Sequence, residues 1–178
     1  MSDKKDVYSE VKGQMRLSER IAAFLPGFRG YKEKELRRES DKLIRNHLTL
    51  KLSNAKTDLK MINQKLADRR YFDVLTDTDR LGAKMDRVVE KVNHASYGYT
   101  GFFDAVKVKE EALDRMIAFD SQLMNEANVL SAEIEAFKAE LASGETKNLK
   151  TRIQNVADKL EVLEGTFDKR EEVILGVN

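Results

Sequence analysis

At 178 residues the chain is long enough to bury one substantial core, and its length favours a single domain or an elongated bundle over two compact domains. Hydrophobic residues at 41% and charged residues at 35%, with one Pro and nine Gly, argue against both a disordered chain and a compact β protein, and the absence of Cys excludes disulfides and thiolate metal sites. The formal net charge of +1 hides an uneven spread, with cations dominating residues 28–70 and carboxylates dominating residues 109–172, which reads as basic and acidic helices lying side by side.

The first residues are polar, and a short disordered stretch is expected at 1–8. Val11, Met15, Ala22 and Leu25, with Leu17, Ile21 and Phe24 on an adjoining stripe, predict an amphipathic helix over 9–25 that Pro26 and Gly27 stop. A long run without breakers follows from Lys32. In it Leu48, Leu52, Ala55, Leu59, Ile62 and Leu66 alternate steps of four and three, a heptad seam, and the second helix is expected to continue to Leu75. Such a helix would be about 65 Å long. The oxygen-rich tract Thr76-Asp77-Thr78-Asp79 reads as the turn and as the cap of a third helix, whose seam is Leu81, Met85, Val88, Val92 and Ala95. Gly82 inside that pattern weakens the helix and suggests a close helix contact.

A fourth helix is expected over 109–142, with Leu123, Ala127, Leu130, Ile134, Phe137 and Leu141 in the same rhythm. After the break at Ser143-Gly144-Glu145, a fifth over 146–175 repeats it through Leu149, Ile153, Val156, Leu160, Leu163 and Phe167. A helix with one apolar seam must bury it, since each covered Leu or Ile contributes roughly 1.5–3 kcal/mol. The expected fold class is therefore all-α: one domain over 1–178, an elongated antiparallel bundle of about five helices with coiled-coil-like heptad packing.

Two segments depart from the heptad grammar by mixing glycines with aromatics, one from Leu25 to Tyr31 and one from Tyr97 to Phe103. Their rings either plug the ends of the bundle or form a surface for a partner. The first leads into a helix start crowded with cations. The free N–H groups there already favour anions, so positive side chains beside them reinforce a site for phosphate, carboxylate or an acidic helix. The candidate partner- or anion-binding residues are Phe28, Arg29, Tyr31, Lys32, Arg37, Arg38, Tyr97, Tyr99, Phe102 and Phe103.

Catalysis is not expected, and neither a cofactor nor a metal site is. His47 and His94 are the only histidines, and the sequence has no Glu-x-x-His pair, phosphate loop or Gly-x-Ser-x-Gly elbow. A hairpin turning near Thr76 would hold the two histidines about 16 Å apart along the axis. The expected function is that of a cytoplasmic, non-enzymatic interaction or scaffold protein, monomeric or homodimeric, that binds another protein. The alternatives are a nucleic-acid or ribosome-associated factor using basic residues 29–70 and a peripheral membrane protein using residues 9–25.

Overall fold

The computed structural model describes residues 34–94 and 110–169, together with Glu19, Ala22 and Leu25. The described residues form four helices, α1 (Lys34–Asp68), α2 (Phe72–His94), α3 (Glu110–Ser143) and α4 (Leu149–Asp168), and no strand. The helix expected over 9–25 lies mostly outside them, although Glu19 and Ala22 are helical and Leu25 is buried in the core. The expected end of the last helix, beyond Lys169, also lies outside the described residues.

The apolar repeats explain which face each helix buries. On α1 the buried positions are Ile44, Leu48, Leu52, Ala55, Leu59, Ile62 and Leu66, and on α4 they are Leu149, Ile153, Val156, Leu160, Leu163 and Phe167. Helices α2 and α3 contribute Val74, Leu81, Met85, Val88, Val92 and Leu123, Ala127, Leu130, Ile134, Phe137, Leu141 to the same continuous cluster. Among the described residues Phe137 is the largest fully buried side chain.

Polar contacts between helices fix their directions. Lys56 pairs with Asp86 at 2.6 Å and Asn63 donates to Asp79 at 2.6 Å, so α1 and α2 run antiparallel. Arg152 bonds Glu133 and Glu140, and Thr166 bonds Glu126, so α3 and α4 do likewise. Lys84 reaches Glu161 while Lys91 reaches Asp168 at 2.5 Å, which makes α2 and α4 parallel neighbours. It follows that α1 and α3, which also touch, are parallel to each other. Two hairpins thus stand side by side in the same sense, with both reversals at one pole and the starts of α1 and α3, Lys34 and Glu110, at the other, while α2 ends at His94 about 21 Å short of Lys34. The charge pattern meets only in part as expected. Between α1 and α3 the ion pair joins Lys138 of the acidic helix to Asp58 of the basic one.

The first reversal corrects the sequence reading. The chain turns at residues 69–71, and Thr76 to Asp79 lie inside α2. Arg70 takes a left-handed φ of 64°, Tyr71 N–H bonds the Leu66 carbonyl at 2.9 Å, and Arg70 N–H bonds that of Ala67 at 2.9 Å. This is a Schellman ending with arginine in the position glycine usually holds. The tract expected to cap has other partners: buried Thr78 donates back to the Val74 carbonyl at 2.8 Å, and Asp79 crosses to Asn63. The second reversal uses the same device with Gly144 at φ 87°, where Glu145 N–H bonds the Glu140 carbonyl at 3.0 Å. Gly82 has nothing within 4 Å of the place a Cβ would occupy, so the close contact expected there is absent.

Candidate functional site

Most of the residues singled out in the sequence lie outside the described residues: Phe28, Arg29, Tyr31, Lys32, Tyr97, Tyr99, Phe102 and Phe103. Arg37 and Arg38 fall within the first turns of α1, with their side chains outside the described residues. What the structure fixes is where those segments attach. Residues 26–33 lead into Lys34, and residues 95–109 join His94 to Glu110; Lys34 and Glu110 lie at the pole away from the reversals, and His94 stands about 21 Å short of Lys34 along the axis.

At the opposite pole an open cleft of about 350 Å³ lies between the two reversals, lined by Tyr71, Asp73, Lys147, Leu149 and Lys150 among others. The α2 and α4 N-termini both face it. Asp73, in the first turn of α2, already places a carboxylate where the helix dipole favours one. Arg69 ties the two turns together by donating to the Leu141 carbonyl at 2.6 Å. Phe72 beside the cleft is 66% exposed.

The histidines stand differently from the expectation. The register set by Lys56–Asp86 and Asn63–Asp79 brings His94 level with Leu48, so the expected axial gap between the histidines is overturned by the earlier turn. They still point apart. His47 shares the α1 stripe that carries Asp58, toward α3, about three turns before it, whereas Lys56 and Asn63 mark the flank toward α2. His94 is exposed, with Nε2 2.9 Å from Glu90. Burial, and then the nearby Lys51 charge, lower the His47 pKa from its ordinary 6.5. Among the described residues no cluster of three or more His, Asp or Glu is placed to hold a metal ion, and no helix is long and apolar enough to cross a membrane.

The remaining polar groups join helices. The hydrogen bond from Lys91 to Asp168 raises the Lys91 pKa, with Glu164 adding its charge. Arg152 is held between Glu140 and Glu133, and Asn155 lies 3.4 Å from Glu133. These contacts fix register and present no nucleophile with a base beside it.

A surface that the sequence reading missed lies on the outer sides of α1 and α3. Every exposed side chain on α3 from Ala118 to Ser143 is uncharged except Glu135. On α1 between Asn46 and Ala67 the exposed charges are Lys60 and Lys56, the latter paired with Asp86, while Leu50 is 63% and Met61 41% exposed. The opposite helices are ordinary: α2 exposes Asp79, Arg80, Asp86, Arg87, Glu90 and Lys91. The signal was present in the sequence as a second four-three rhythm, Ala118, Gln122, Asn125, Val129, Ala132, Ala136, Ala139 and Ser143, out of phase with the buried seam.

Compared with known protein families, with curated proteins and with solved structures, the chain matches none.

Proposed function

We propose that the protein is a non-enzymatic helical scaffold that presents the two aromatic-glycine segments and the basic start of α1 together to a protein partner in the cytoplasm. The observation that supports this reading is topological: Lys34, where the first segment enters the fold, and Glu110, where the second rejoins it, stand within about one turn of each other along the axis at the pole away from the reversals. One end of each segment is thereby anchored beside the other on a stiff base, which lowers the ordering cost of a composite binding surface. In this reading the bundle has about five members with heptad packing, residues 9–25 supplying the fifth; helical Glu19 and Ala22 and buried Leu25 support that addition.

The test compares the intact chain with a variant carrying Phe28, Tyr31, Tyr99 and Phe102 as Ser, and with Arg37→Glu/Arg38→Glu, in affinity capture from native cell extract. The same specific partner should be lost from both variants while helical content is unchanged. Capture of RNA instead, falling steeply with salt, would transfer the site to the nucleic-acid reading.

A further inference from the structure

We infer that the amphipathic segment 9–25 docks as a clamp in the outer groove between α1 and α3, at the end of the bundle away from the reversals, and so closes residues 26–33 into a loop held at both ends. This rests on the reading above that residues 9–25 supply a fifth helix. The carrying observation is a change of burial along single helix faces. Ser121 and Ala139, Met124 and Ala142, and Leu43 and Met61 are pairs separated by roughly five full turns, so the members of each pair point the same way. Yet Ser121 is 6% and Met124 1% exposed where Ala139 and Ala142 are open to solvent, and Leu43 is half-buried against the core where Met61 is 41% exposed. Met124 lies two heptads before Lys138, on the flank of α3 that faces α1, and the Asp58–Lys138 register sets it beside Leu43. Something covers this groove at one end and leaves it bare at the other.

Neither α2 nor α4 supplies the cover. Helix α2 packs on the flank of α1 that carries Lys56 and Asn63, and α4 on the flank of α3 that carries Glu126, Glu133 and Glu140. The cover therefore comes from chain outside the four helices, and among the described residues Leu25 is the one buried core member there. Helical Glu19 and Ala22 are exposed. That turns the stripe of Val11, Met15 and Ala22 away from the groove and leaves Leu17, Ile21, Phe24 and Leu25 as the docking face. The chain length fits: Leu43 stands about 14 Å along α1 from Lys34, and residues 26–33 span up to about 27 Å. A tether this short gives the docking face a high effective concentration, so a few apolar side chains are enough to seat it. Phe28, Arg29, Tyr31 and Lys32 then belong to a loop pinned at Leu25 and Lys34, and a loop fixed beforehand loses less freedom when it binds.

The chain has no cysteine, so a single introduced thiol reports on the groove. Ser121→Cys exchanges one small side chain for another, and in the full chain its thiol should react slowly with a maleimide. Adding Ile21→Ser and Phe24→Ser should speed the reaction about tenfold for each ~1.4 kcal/mol of docking lost, while α2 and α4 keep their hydrogen-exchange protection. Ala22→Ser, at an exposed position, should leave the rate as it was. A thiol that reacts rapidly in the otherwise unaltered chain overturns the inference, as does a rate that Ile21→Ser and Phe24→Ser leave unchanged, which would assign the cover to another part of the chain. Hydrogen exchange over residues 17–25 separates this failure from that of the reading beneath it. Protected amides there, alongside either overturning result, would keep a fifth helix and move it to another face; unprotected amides would remove the fifth helix altogether.

Discussion

Arg70 occupies the left-handed region at φ 64° in the first reversal, where the second has Gly144 at φ 87°. A side chain there costs about 1–2 kcal/mol, because Cβ crowds the following carbonyl, and glycine avoids that at the expense of a more disordered unfolded chain. Replacing Arg70 with Gly should therefore raise the unfolding free energy by about 0.5–1 kcal/mol, and Gly144→Ala should lower it by about 1 kcal/mol. Nothing lies within 4 Å of a Cβ at Gly144, so that loss would come from the backbone alone. Urea midpoints that moved in the same direction for both variants would contradict the assignment. His47 gives a second residue-scale expectation. Its pKa in the fold is below 6.5, so the folded chain binds fewer protons than the unfolded one as pH falls past that value. The stability from a neutral His47 is fully present above 6.5 and is lost as pH drops through the folded pKa. His47→Gln should flatten the fall in stability between pH 7.5 and 5.5, measured by urea denaturation; an unchanged slope would assign the acid sensitivity elsewhere.

Within the helices, glycine has no such conformational task. Gly82 in α2 and Gly165 in α4 have open space where a Cβ would stand. Each Gly→Ala change should stabilise by about 1 kcal/mol, as expected for a helix interior without a steric conflict. Thermal unfolding of the single variants measures this, and a lowered midpoint for either would mean that the added methyl group meets something in solution. The contrast between these elements and the turns explains what was legible in the sequence. Leu48, Leu52, Ala55, Leu59, Ile62 and Leu66 could be assigned to a buried stripe because apolar spacing follows directly from helix geometry, and all six are buried. The reversal at Arg70 could not, because the usual marker of a Schellman ending is glycine, while Thr76 to Asp79 carried a capping composition whose oxygens went to Val74, Arg80 and Asn63. Moving the turn by about seven residues shifted every height on α2, including that of His94. The charge-poor outer face escaped notice for a related reason. A search for apolar periodicity passes over alanine, serine and asparagine, and the information lay in which charged residues were missing.

At the scale of the whole molecule, the question is whether the two hairpins fold separately or together. Each hairpin closes locally through its own reversal, which favours independent units. Against that, the core is continuous: α1 packs on α3 and α2 packs on α4, so each hairpin buries much of its apolar surface against the other. Polar contacts between the hairpins, Asp58–Lys138, Arg69 to Leu141 and Lys91–Asp168, set register but are individually modest, being partly exposed to solvent. Hydrophobic burial should therefore decide the outcome and make the hairpins unfold as one. Phe137 on α3 provides the probe, because its ring is 1% exposed and belongs to the shared core. Phe137→Ala should lower the unfolding free energy by about 3–5 kcal/mol through lost burial and the cavity left behind. Hydrogen exchange followed helix by helix should then show the same loss of protection in α1 and α2 as in α3 and α4. If α1 and α2 kept their wild-type protection while α3 and α4 opened, the hairpins would be separate cooperative units, and the base on which the aromatic-glycine segments are held would be two pieces whose relative placement can change.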